Sequence, residues 1–172
     1  MQKLLAVFVL GLGVGAAMAE KPTATGHVSD AGKFSVVFPA KPTKLDGDKQ
    51  LATAGGNLTV YTSKYETVDA IYSVTWTDYP ESFKEVSASK LLDGVVGGMK
   101  GADGKAEDDK PFDVTGGVGR SVTLAVKDSG NVVRAKLYLT GRRLYMVQVS
   151  GKKEATKGKA ADDFLASFCL SK

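Results

Sequence analysis

Between Val118 and Val149 three runs of alternating apolar and polar residues follow one another, separated only by turn signals. Val122, Leu124 and Val126 share one side of the first run. Asp128-Ser129-Gly130-Asn131 is a turn by its chemistry, since these side chains and glycine accept the dihedrals a reversal needs. Val133, Ala135, Leu137 and Leu139 then form an inward face, opposite the outward Arg134, Lys136 and Tyr138. Gly141-Arg142 makes the next reversal, and Tyr145, Val147 and Val149 continue the pattern. Period two with short connections leaves one arrangement, a meander of three antiparallel strands.

The remaining periodicity extends that sheet. Phe34-Ser35-Val36-Val37-Phe38 is a strand stopped by Pro39, and residues 39–50, with Pro39, Pro42 and Asp46-Gly47-Asp48, form a loop by composition. Leu58 to Tyr65 and Ala70 to Thr77 alternate around Thr67-Val68-Asp69, a hairpin connection. From Ser87 the period changes: Leu91, Leu92, Val95, Val96 and Met99 form one helical stripe, capped by Ser87 or Ser89 and ended by Gly101. Gly94, Gly97 and Gly98 weaken this helix unless it lies close on a sheet. Ala161, Phe164, Leu165 and Phe168 make a second, short helix. Strands, helix, strands, helix predict an α+β domain with a mostly antiparallel sheet flanked by helices.

The first nineteen residues have the form of an export signal: Lys3, an apolar Leu4–Val14, and Ala17-Met18-Ala19 before the expected cleavage. The expected organisation is a signal peptide over 1–19, an irregular leader over 20–32 and one domain over 33–172. Periplasmic or secreted localisation follows from that reading, with no transmembrane segment in the mature chain. Without the signal peptide, 22 basic residues face 19 acidic ones. That surplus is too small for a nucleic-acid partner. Cys169 is the sole cysteine, so no intramolecular disulfide forms. Between Phe168 and Leu170 it is expected to be a buried small hydrophobe, a reactive or intermolecular thiol being the alternative.

Phe34-Ser35-Val36-Val37-Phe38-Pro39 with Pro42, the hairpin from Arg134 to Tyr145, and Ala161 to Phe168 resemble the opening strand, central hairpin and closing helix of a group of exported bacterial proteins. The arrangement is similar to the PsbP-like fold, a sheet sandwiched by helices and named for an extrinsic subunit of photosystem II. The resemblance covers roughly Gly32 to Lys172 and implies a non-catalytic binding or assembly factor. It carries over no functional residue.

Candidate sites are few. Gly116-Gly117-Val118-Gly119-Arg120 precedes a strand, whereas a dinucleotide loop precedes a helix, so a tight turn is expected. Asp46-Gly47-Asp48 and Glu107-Asp108-Asp109 lack the spacing of a calcium loop and read as solvated loop charges. Asn57-Leu58-Thr59 matches a glycosylation sequon, which matters only in a eukaryotic secretory pathway. His27 is the only histidine, so neither a histidine metal cluster nor a two-histidine catalytic pair is available, and no cofactor is expected. The basic residues Arg134, Lys136, Arg142, Arg143, Lys152 and Lys153 are the main candidate surface. Arg134, Lys136, Tyr138 and Arg142 together form a cationic, partly aromatic face for an acidic protein or an anionic envelope component. The plainer alternative is a solvent-facing strand dressed with long side chains. The expected function is an exported, non-catalytic binding or assembly module. Its rival is a small exported hydrolase built on Asp78 or Glu81.

Overall fold

A computed structural model describes residues 23–53, 56–100, 105–127 and 129–171. The expected export signal and Gly101, the expected helix end, lie outside them. In chain order the elements are β1 (Thr25–Ser29), β2 (Phe34–Phe38), β3 (Lys44–Thr53), β4 (Gly56–Glu66), β5 (Ala70–Asp78), α1 (Ala88–Lys100), β6 (Lys105–Val114), β7 (Gly117–Ala125), β8 (Asn131–Thr140), β9 (Arg143–Lys152), α2 (Lys153–Thr156), α3 (Lys159–Ala166) and β10 (Cys169–Leu170). Seven strands form one sheet in the order β3-β4-β5-β9-β8-β7-β6, and a smaller sheet has the order β1-β2-β10. Every pairing is antiparallel. Among the described residues no helix is long and apolar enough to cross a membrane.

Alternation along each strand supplies the large sheet with two apolar faces, and each finds its own cover. On one face Leu92 and Val96 of α1 pack on Val122, Leu124, Leu137, Leu139 and Leu144. On the other, Phe34, Val36 and Phe38 of the small sheet join Ala161, Phe164 and Leu165 of α3, and Phe168 just after it. They cover Tyr72, Val74, Trp76, Tyr145, Val147 and Val149. The structure is thus an α+β sandwich, helix on sheet on a mixed layer, in which the large sheet is the common wall of two cores.

Helix α1 begins where Ser87 accepts from the Lys90 amide through Oγ at 3.4 Å and from the Leu91 amide through its carbonyl at 3.1 Å. Its glycines do not serve close approach to the sheet. A Cβ at Gly94, Gly97 or Gly98 would meet nothing within 4 Å, because all three lie on the solvent side. They therefore only loosen the helix. Gly97→Ala is expected to raise stability by about 0.5–1 kcal/mol, read as a higher denaturant midpoint with unchanged slope.

Several expectations about the elements need correction. The leader carries β1, a five-residue strand paired with β2 from Thr25 opposite Phe38 to Ser29 opposite Phe34. Its mixture of threonine, glycine, histidine and valine shows no apolar period because it lies at a sheet edge. The loop read over 39–50 holds most of β3, a polar edge strand with a register shift between Lys44 and Gly47. Glu107-Asp108-Asp109 lies within edge strand β6 rather than in a loop. Cys169 is exposed, opposite Ser35 at the start of β10. The adjacent Phe168 takes the buried position that the apolar neighbourhood of Cys169 suggested.

Candidate functional site

Strand register determines which side chains share the sheet face that α3 covers. Across β7 and β8, Thr123 stands opposite Arg134, Ser121 opposite Lys136 and Gly119 opposite Tyr138. Asp108, Lys110 and Phe112 of β6 extend the same rows. In β9 the rows continue with Val149, Val147 and Tyr145, and in β5 with Tyr72, Val74 and Trp76. One face therefore changes character halfway across. The β5 and β9 side is apolar and lies under α3 and the small sheet. The β6 to β8 side is polar at Asp108, Ser121, Thr123, Arg134 and Lys136, and is only partly buried.

Arg134 is fixed at the seam. Its Nη1 donates to the Thr156 carbonyl at 2.7 Å and forms an ion pair with Asp162 Oδ1 at 2.8 Å, tying β8 to the end of α2 and the first turn of α3. Lys136, two residues on, forms no ion pair among the described residues. Tyr138 is not an outward side chain. Its ring packs against Phe112 at 5.2 Å and Phe168 at 4.8 Å, and burial pushes its hydroxyl pKa up to about 12. Phe112 reaches Tyr138 by lying across Gly119, where a Cβ would run into its ring. The backbone at Gly119 is thus a floor for an aromatic side chain, and the glycine-rich segment before it supplies the expected turn, with Gly116 at φ 74°.

The four-residue basic face consequently divides. Arg134, Lys136 and Tyr138 share one face of β8, while Arg142 lies in the β8–β9 turn and is held by Glu81 at 2.7 Å. Four strand residues separate Lys136 from the end of β8, so at about 3.3 Å per residue Arg142 lies more than ~13 Å away, beyond the strand's end. Nor is β8 an edge strand: β7 and β9 flank it. Lys152 pairs with Asp69 at 2.7 Å. Arg143 lies 4.6 Å from the Trp76 ring, which stacks on Tyr61 at 4.0 Å. Both oxygens of Asp78 accept from Arg143, at 2.6 Å each. The two carboxylates considered for hydrolysis, Asp78 and Glu81, are thus each engaged by an arginine.

His27 gains neighbours that its sequence position does not advertise. Its Nε2 is 3.4 Å from Ser63 Oγ and 3.9 Å from Asp46 Oδ2. The hydroxyls of Ser63 and Ser29 each donate to Asp46 Oδ1 at 3.1 Å. Serine, histidine and aspartate meet here in a different sense from a hydrolytic triad. There the carboxylate and the nucleophile use opposite ring nitrogens, and the serine proton goes to the imidazole. Here both approach Nε2 and the serine serves the carboxylate. The cluster pins β1 and the bulged β3 onto β4, with Asp46 held at φ 43°. Asp46 is thereby a structural acceptor and not a solvated loop charge. Asp109 has a comparable role on the α1 face, accepting from Arg120 Nε at 2.5 Å and Nη2 at 3.0 Å, while Asp93 of α1 binds the same guanidinium. Both carboxylates hold the Arg120 pKa above its ordinary value.

Ser121, Thr123, Asp108 and Asp162 are the members of the polar face that the sequence reading did not select. Ser121 and Thr123 do alternate with Val122 and Leu124, which assigns them to the opposite face. Their partnership with Lys136 and Arg134 follows from inter-strand register. No family model matches the chain, and no curated protein sequence does so. Among solved structures the chain is similar to the solution structure of cyanobacterial PsbP (CyanoP) from Synechocystis sp. PCC 6803, with a TM-score of 0.55 at 13% identity. The match covers 92% of this chain and 98% of that one. At such low identity the likeness is one of fold. The chain has a PsbP-like α+β fold.

Proposed function

We propose that this chain is an exported, non-catalytic binding module of the cell envelope, and that its partner docks on the polar β6–β8 half of the sheet face. The observation that carries this reading is the change in character across that face. The layer of α3 and the small sheet stops at the seam marked by Arg134, leaving a shelf of hydroxyls and charges on rigid strands. A shelf of this kind suits recognition, because its donors are positioned before the partner arrives. The engagement of Asp78, Glu81 and Asp46 by arginine or serine supports binding over a carboxylate-based hydrolase. The export reading rests on Met1–Ala19.

The test is fractionation of cells expressing the full chain, followed by capture of its partner from the envelope fraction. The mature protein is expected there with Glu20 as its N-terminus. Wild-type protein is expected to retain a partner that the Lys110→Glu/Lys136→Glu variant loses by tenfold or more, with both proteins equally folded. An intact Met1 in the cytosolic fraction would overturn the export reading. Equal capture by both proteins would overturn the assignment of the face.

A further inference from the structure

Where the covered and uncovered halves of the sheet face meet, they enclose a recess of about 270 Å³. Asp108, Ser121, Thr123, Arg134, Lys136 and Asp162 supply its polar wall. Its charges do not all cancel locally. Asp108 is paired with Lys110 at 3.0 Å, and Asp162 with Arg134 at 2.8 Å. Lys136 alone has no carboxylate within ion-pair distance among the described residues. It belongs to an interior strand and is half-buried, with the fully buried Val147 opposite it in β9. A lysine on a solvent-dressed edge needs no partner, but one in a recess loses part of its hydration.

The surrounding groups offer hydrogen-bond donors. The hydroxyls of Ser121 and Thr123 make no hydrogen bond among the described residues. Arg134 makes its hydrogen bond through Nη1, to the Thr156 carbonyl, and its Nε and Nη2 make no hydrogen bond among the described residues. One uncompensated positive charge, two free hydroxyls and an incompletely used guanidinium call for a ligand that brings acceptor oxygens and a negative charge. At about 270 Å³ the recess lies at the small end of the size range of ligand pockets. That is room for an anionic group with a small organic body.

Resting on the reading of the β6–β8 face as the docking surface, we infer that this recess binds the carboxylate or phosphate end of a small solute. Lys136 supplies the charge, while Ser121, Thr123 and the free edge of Arg134 supply hydrogen bonds. Asp108 and Asp162 stay with Lys110 and Arg134 and set the outer limits of the anion's position.

Titration of the ¹⁵N-labelled chain with sodium phosphate, and separately with sodium acetate, at an ionic strength held constant with chloride, tests the inference. Saturable amide shifts are expected at Ser121, Thr123 and Lys136 with at least one probe, the tighter one identifying the oxyanion. Lys136→Met keeps the aliphatic stem and is expected to weaken binding about tenfold at an unchanged thermal midpoint. Ser121→Ala/Thr123→Val is expected to weaken it severalfold, and Lys90→Met on α1 to leave it unchanged. The recess assignment is overturned by the absence of saturable shifts with both anions, by equal affinity in Lys136→Met, or by binding to phosphatidylglycerol vesicles without response to free anions. Absent shifts alongside partner capture that still depends on the face would remove the recess and leave the docking surface. Anion binding alongside face-independent capture would do the reverse.

Discussion

Phe164→Ala is expected to lower stability by about 3–5 kcal/mol, seen as a large fall in the denaturant midpoint or as loss of soluble protein. Phe164 is 1% exposed and lies where three elements meet. Its ring is 5.2 Å from Phe38 of β2 and 5.5 Å from Tyr72 of β5, the latter edge to face. Removing it opens a void between layers that hold each other in place, and the void has little means of collapse. The eight-residue α3 is too short to persist alone, so its helical state depends on that docking. The loss is a large share of the roughly 5–15 kcal/mol that separates a folded domain from its unfolded chain. Asp163→Ala supplies the contrast. Asp163 is exposed, its ion pair with Lys159 is a surface i,i+4 contact at 2.7 Å, and its removal is expected to cost under about 0.5 kcal/mol. Equal midpoints for Phe164→Ala and wild type would mean that the α3 layer contributes nothing to the fold.

The same physics explains which parts of the molecule were legible in its sequence. Elements with one wet and one dry side announced themselves. Helix α1 buries Leu92 and Val96, β7 buries Val122 and Leu124, and β9 buries Val147 and Val149. The PsbP-like arrangement inferred from the opening strand, hairpin and closing helix agrees with the fold likeness. Edge strands did not announce themselves. A strand such as β3, with Lys49 and Gln50 on its two sides, meets water on both faces and carries no alternation to detect. Its polar surface also blunts an exposed edge against pairing with another chain. Strand β10, only two residues long, is defined by Ser35 and Phe34 of β2, residues remote in sequence. The candidate face was half legible for a related reason. Alternation placed Arg134, Lys136 and Tyr138 together, but the sequence does not say what lies above a strand. Phe112 and Phe168 claim Tyr138, Asp162 claims Arg134, and Arg142 lies apart in the β8–β9 turn, paired with Glu81. Ser121 and Thr123 join the site by register, a long-range property that single-strand periodicity does not contain.

Gly151→Ala tests the central pairing of the large sheet and is expected to cost about 3 kcal/mol, combining backbone strain with overpacking. Gly151 lies near the end of β9, opposite Ala70 at the start of β5, with φ at 149°, a conformation L side chains rarely adopt. The space beside it is closed as well. A Cβ would run into the Asp69 carbonyl oxygen and stand 2.7 Å from the Ala70 Cα, both backbone atoms that no rotamer change can move aside. The neighbouring Lys152 amide donates to that same Asp69 carbonyl at 2.9 Å, so relieving the clash pulls on the hydrogen bond that closes the strand pair. Strands β5 and β9 sit beneath the aromatic layer of Tyr72, Trp76 and Tyr145, and movement between them is felt by Phe164 above. Gly97→Ala makes the identical chemical change in the open and is expected to act with opposite sign. Equilibrium unfolding of the two variants beside wild type therefore separates glycine's cost in chain entropy from its value where a side chain has no room. A Gly151→Ala protein as stable as wild type would mean that β9 does not end against Asp69 and Ala70 in this register.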